Sequence, residues 1–70
     1  MHYEVTAIYQ NCEIGYGEGE SDAYAIDDCL DSIPAIYTDC ARADIRLIVR
    51  HSTGGISYVT SLLDYQIATA

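Results

Sequence analysis

Asp27, Asp28 and Asp31 put three carboxylates within five residues, and on a helix Asp31 stands one turn from both of the others. Such a group can offer oxygen ligands to a hydrated divalent cation, because magnesium keeps several of its waters. Gly15, Gly17 and Gly19 form a second suggestive pattern, Gly-x-Gly-x-Gly, whose backbone could cradle a phosphate ahead of a helix. The surrounding charges oppose that use. Glu13, Glu18, Glu20 and Asp22 would face the phosphate, and no lysine follows the last glycine, so the run is expected to be a flexible connection between a strand and a helix. Cys12, Cys29 and Cys40 are odd in number and form no Cys-x-x-Cys pair, which points to reduced, partly buried thiols rather than disulfides. A zinc site would have to gather them with His2 or His51 from distant parts of the chain, without close ligand pairs. Serine, histidine and aspartate occur, but no nucleophile elbow or cysteine-protease pattern joins them, and His51 reads as a strand-end residue. The expectation is a protein that is not an enzyme and uses no metal or cofactor.

The spacing of residues 27–31 resembles the magnesium-binding Asp-Asp-x-x-Asp motif of prenyl-transferring and terpene-forming enzymes. That resemblance implies a large all-helical cavity for an apolar chain, and 70 residues cannot enclose one. A solvated helix face accounts for the same aspartates.

Charge is more informative by position than in total. Residues 1–41 hold nine acids and no Lys or Arg, giving −9, while the remainder holds two acids and three arginines, giving +1 and the overall −8. Direct binding to nucleic acid or to an anionic membrane is disfavoured, since both rely on Lys and Arg at phosphates. A basic partner is favoured. Phe and Trp are absent and the aromatic residues are seven tyrosines, whose rings pack while their hydroxyls seek water or a partner. No apolar run reaches the roughly 20 residues of a membrane span, and no basic segment precedes Glu4, so the cytoplasm is the expected compartment.

The elements that must position these residues follow from periodicity. His2 to Tyr9 alternates, with Tyr3, Val5, Ala7 and Tyr9 on one strand face. Gln10 and Asn11 can turn the chain, and Cys12, Ile14 and Tyr16 then alternate with Glu13, Gly15 and Gly17 in a hairpin partner. Ser21 fits an N-cap, with Glu20 and Asp22 at the favourable end of the helix dipole. Ala23, Ile26, Leu30 and Ile33 then face the core, with Tyr24, Asp27, Asp28 and Asp31 opposite. Pro34 ends this helix near Ser32 or Ile33. Residues 34–43 fit either one further helical turn or a crossover loop. Asp44 to His51 reads as a strand with Ile45, Leu47 and Val49 on one face; Ser52 to Gly55 turns, and Ile56 to Leu63 is the final strand. Asp64 to Ala70 is a tail that extends the strand, turns or frays. Arg46 and Arg50, and Arg42 if the strand extends back to it, fall on one strand face at even spacing, with Glu4 and Glu13 as expected ion-pair partners if the first hairpin lies beside this strand. The fold class is therefore α+β, one domain over residues 1–70: a small antiparallel sheet of two hairpins with one helix on one face, in the order β-β-α-β-β.

The expected partner-binding surface is Glu18, Glu20, Asp22, Tyr24, Asp27, Asp28 and Asp31. These carboxylates would imitate phosphates and occupy a basic groove, pairing with arginines, with tyrosine as an anchor. In chain size, acidity and this surface the protein resembles, as a class, the small acidic proteins that phages and mobile elements make against host defences, including anti-CRISPR and anti-restriction inhibitors. The resemblance implies stoichiometric binding to a nucleic-acid-handling complex in a host cytoplasm and exclusion of its DNA or RNA. The arginine row departs from a pure DNA mimic. The alternative is a self-associating module, a homodimer built through tyrosines and an open sheet edge.

Overall fold

Gln10 and Asn11 both take left-handed backbone angles, φ 51° and 65°, the requirement of a two-residue hairpin turn whose twist matches its strands. They join β1 (Tyr3–Tyr9) to β2 (Cys12–Gly19) in a computed structural model that describes residues 2–40 and 42–69, of residues 38–40 the backbone alone. The chain continues through α1 (Asp22–Ser32), α2 (Ala35–Cys40), β3 (Arg46–His51), β4 (Ile56–Ser61) and α3 (Leu62–Thr69). The four strands form one sheet in the order β2-β1-β3-β4, and every neighbouring pair is antiparallel. This is the expected α+β arrangement of two hairpins and a covering helix, with α3 added after the last strand.

Alternation assigns one sheet face to the core. Val5 and Ala7 of β1 and Leu47 and Val49 of β3 are fully buried, joined by Ile45 just before β3. From the helices, Ala25, Ile26, Cys29, Ile33 and Leu62 close the cluster, with Tyr3, Tyr9, Ile14, Leu30, Tyr37 and Tyr65 packed around it.

Two departures in the first half share one cause. The β1–β2 register shifts between Ala7 and Ile8: Ala7 stands opposite Gly15 and Ile8 opposite Glu13, so Ile14 is the extra residue of a bulge. Each residue beyond a one-residue slip changes face. Gly15, Gly17 and Gly19 therefore line the inner face opposite Ala7, Val5 and Tyr3, while Tyr16 and Glu18 turn outward. The glycine run is the seat of α1 and not a flexible connection. A Cβ on Gly17 would lie 2.1 Å from the backbone nitrogen of Cys29, so only glycine lets the helix backbone rest on the strand. The helix consequently presents the small residues Ala25 and Cys29 to that strand. The expected core face is rotated: Ile26 and Ile33 are buried, Leu30 is half-buried, and Ala23 is exposed.

The ends of α1 match the sequence. Ser21 caps it by accepting the Tyr24 N–H at 3.2 Å, and Ile33, extended at φ −78° and ψ 128°, leads into Pro34. The further helical turn after Pro34 is the alternative that forms, as α2. As far as Thr69 the tail neither extends β4 nor frays: Ser61 Oγ accepts the Asp64 N–H at 3.0 Å and starts α3, which buries Leu62 and lays Tyr65 on the core. Asp44, expected to open the third strand, lies instead in the turn before β3. Among the described residues no helix is long and apolar enough to cross a membrane.

Candidate partner-binding site

On α1 the side facing away from the sheet carries Tyr24, Asp27 and Asp31, all exposed, with Tyr24 at 71%. Helical spacing sets them three and four residues apart, so the two carboxylates and the ring form one continuous ridge. Glu20 is exposed one residue before the Ser21 cap, at the N-terminal end of that ridge. None of the carboxylates of Glu20, Asp27 and Asp31 makes a hydrogen bond or ion pair with the described residues. They are free to meet a partner.

The remaining expected residues are held by the fold. Asp28 Oδ2 accepts the backbone N–H of Glu18 at 3.1 Å, and one turn on, Ser32 Oγ accepts the N–H of Tyr16 at 2.9 Å. β2 is an edge strand, and these are edge amides that would otherwise invite another strand. Asp28 and Ser32 thus close that edge. Asp22 Oδ2 receives the Tyr58 hydroxyl at 3.0 Å, tying the start of α1 to β4. Burial first, and then this bond, push the Tyr58 hydroxyl up to about 12. Glu18 leaves the ridge altogether, because the bulge turns its side chain to the outer sheet face.

There it joins a cluster that the sequence reading did not foresee. The Tyr16 hydroxyl lies 2.9 Å from Glu4 Oε1 and 3.1 Å from Glu18 Oε2, and His2 Nε2 lies 3.6 Å from Glu18 Oε2. The bond to Glu4, then burial, then the bond to Glu18 raise the Tyr16 hydroxyl well above the ordinary tyrosine value. Ligand atoms of His2, Glu4 and Glu18 all fall within 4.8 Å of one another. These three could hold a divalent cation only at an open surface, with water filling the other positions. The signal for the cluster was the even spacing of His2 and Glu4 and of Tyr16 and Glu18, but without the bulge those two pairs read as lying on opposite faces.

The arginines do not pair as expected. Arg50 stands opposite Glu4 and Arg46 opposite Ile8, yet neither arginine has an ion pair within 4.0 Å among the described residues, since the Glu4 carboxylate turns to Tyr16 instead. Arg42 lies in a turn outside the row and donates to Gln66 Oε1 at 3.0 Å. Of the thiols, Cys12 is exposed and Cys29 is buried, and burial pushes the Cys29 thiol up to about 11, which keeps it protonated and unreactive. The Cys40 side chain lies outside the described residues. A shallow depression of about 360 Å³ lies between Ala43, Arg46, Val59, Thr60, Ser61 and Asp64, with no histidine or cysteine beside it.

Compared with protein-family models, curated proteins and solved structures, the chain gives no match.

Proposed function

We propose that this chain is an acidic binding protein that acts stoichiometrically, laying the α1 ridge into a basic nucleic-acid-binding groove of a host defence or nucleic-acid-handling complex. The observation that supports this reading is the unpartnered state of Glu20, Asp27 and Asp31 beside the exposed ring of Tyr24. A carboxylate already bonded inside the fold would have to surrender that bond to a partner. These three surrender only water, and arginines in a groove would replace it with charge-assisted hydrogen bonds. The ridge is also rigid: α1 is capped at Ser21, seated on glycine, and tied to β4 through Asp22 and Tyr58. A backbone fixed before binding loses less freedom on binding. No Lys or Arg precedes Arg42, and Arg46 and Arg50 project from the opposite side of the sheet, so a basic groove meets no like charge along the ridge.

The test is charge reversal that spares the structural aspartates. In an affinity capture from the native host, the wild-type chain should retain a nucleic-acid-binding complex and displace DNA or RNA from it in competition. Asp27→Lys with Asp31→Lys should lose that complex while keeping the wild-type circular dichroism and unfolding midpoint. Undiminished binding by the folded double variant, or a complex that still holds its nucleic acid, would refute the proposal.

A further inference from the structure

We infer that the outer face of the sheet is the interface of a symmetric dimer, two copies stacked sheet to sheet with Glu4 of each against Arg50 of the other. The inference stands apart from the ridge on α1, which points the other way.

α1, Tyr37 of α2 and the buried start of α3 all pack against the core on the inner face, so no described helix is placed over the outer face of the four strands. The register reads off its side chains as rows that cross the strands. One row is Glu18, Glu4, Arg50 and Ile56; the next is Tyr16, Thr6, Ile48 and Val59; the last runs Glu13, Ile8, Arg46 and Ser61. Carboxylates occupy the β2 and β1 side and guanidiniums the β3 side. Apolar groups fill the middle and the β4 margin, where Ile56 and Val59 are 59% and 50% exposed and Tyr16 on the far margin is 42% exposed.

The acidic side of this face is complementary in charge to its arginine side. A twofold axis parallel to the strands and between β1 and β3 would set β1 over β3 of the other copy, and β2 over its β4. Glu4 would then face Arg50 through the carboxylate oxygen that Tyr16 does not hold, Thr6 would face Ile48, Tyr16 would face Val59, Glu18 would lie over Ile56, and Arg46 would lie over Ile8, one strand from Glu13, each contact occurring twice, as an isologous interface requires. Packed sheets stand about 10 Å apart, within reach of Glu and Arg side chains across the gap. The guanidinium of Arg50, which has no ion pair among the described residues of the single chain, gains one. The overall −8 opposes association, but most of that charge sits elsewhere. Glu20, Asp22, Asp27, Asp28 and Asp31 lie on the helix side, so in the dimer the two sets are separated by two sheets, well beyond a Debye length of about 10 Å at 0.1 M salt. Four strands at about 4.8 Å spacing and some six residues at about 3.3 Å give a face of roughly 19 by 20 Å, a small interface whose dimer is weak and salt-dependent.

Sedimentation equilibrium from about 10 µM to about 1 mM at low salt should show the wild-type chain passing from monomer to dimer. Glu4→Arg and Arg50→Glu, each alone, should be monomeric over that range. An equimolar mixture of the two should dimerise. In the mixed pair the introduced arginine and the native Arg50 of one chain meet the introduced glutamate and the native Glu4 of the other. No change within one folded chain can produce that rescue. Should Glu4→Arg fail to fold, Val59→Asp carries the test, since Val59 is exposed at the β4 margin, and it should be monomeric. A wild-type monomer up to about 1 mM overturns the inference, as does a dimer that persists in the single variants or a mixture that stays monomeric.

Discussion

Replacing Gly17 with alanine adds one methyl group at the point where the α1 backbone rests on β2. That carbon would lie 2.1 Å from Cys29 N, 2.6 Å from Ala25 O and 2.6 Å from Cys29 Cα. Ordinary contact begins near 3.4 Å, so the helix must lift or slide by more than about 1 Å, and its neighbours are backbone atoms that cannot rotate away. A lift of that size forfeits about half or more of the dispersion energy of each contact it opens. The contacts at stake are those of Ala25, Ile26, Cys29 and Ile33 with the sheet. Overpacking typically costs about 1–3 kcal/mol, and a backbone obstacle places this change at the upper end, about 3 kcal/mol. Relieving the entropy cost of a strand glycine offsets about 0.5–1 kcal/mol. The net loss is about 2 kcal/mol or slightly more, against a total stability of roughly 3.5–10 kcal/mol for 70 residues at about 0.05–0.15 per residue. With a urea dependence near 1 kcal/mol per molar, the midpoint followed by circular dichroism should fall by about 2 M. Gly55→Ala is the control: nothing lies within 4 Å of its added carbon, and its midpoint should stay within about 0.5 M of wild type. If Gly17→Ala behaved like that control, α1 would not be seated on the strand backbone and the account of the glycine run would fail.

Two further predictions test the bonds that tie α1 to the sheet. Asp28→Ala removes the acceptor for the Glu18 edge amide and should cost about 1 kcal/mol, because water partly replaces the bond, with a smaller loss for Asp28→Asn; adding Ser32→Ala should raise light scattering on storage, and a double variant no more prone to aggregate than wild type would remove the edge-closing role. Tyr58 keeps its proton to about 12 in the folded chain but ionises near the ordinary tyrosine value of 10.0 when unfolded, so its contribution is fully present below pH 10 and is lost as pH rises through 12. Urea midpoints measured from pH 8 to 12 should decline above pH 10, and Tyr58→Phe should lessen the decline, leaving the part that Tyr16 and Tyr65 carry; an identical slope in the variant would show that the fold does not hold the Tyr58 proton.

Elements with a strong local signal were legible in the sequence. Ser21 and Pro34 bracket α1 through capping and ring sterics, and Ile45, Leu47 and Val49 announce a half-buried strand by period alone. The turn at Gln10 and Asn11 was visible from polarity, although its left-handed angles were not. What remained hidden was nonlocal. The orientation of α1 depends on which strand atoms it touches, so Ala25 and Cys29 displaced Ala23 from the buried face once glycines lay beneath them. α3 carried a signal, Ser61 three residues ahead of Asp64 with Leu62 and Tyr65 at helical spacing, but the β-branched run before it drew the strand reading onward to Leu63. Within the candidate surface, Tyr24, Asp27 and Asp31 were placed correctly by helical period. The separate duties of Asp22 and Asp28 depend on strands that lie ten or more residues from them in sequence.

The bulge at Ile14 links the two surfaces more closely than their opposite directions suggest. Had β2 continued in register with Ile14 opposite Ala7, Gly15 and Gly17 would have faced outward and Tyr16 inward, and a tyrosine beneath α1 would have held the helix off the strand. With the extra residue, the glycines turn inward and the helix settles onto them, near enough for Asp28 and Ser32 to reach the β2 edge amides. The same rotation sends Tyr16 and Glu18 outward to Glu4, drawing that carboxylate away from Arg50 and leaving the guanidinium without an ion pair among the described residues. Asp27 and Asp31 stay free on the ridge because the edge needs only the aspartate on its own side of the helix. One inserted residue in an edge strand thus decides which acids are occupied by the fold and which remain available to another molecule.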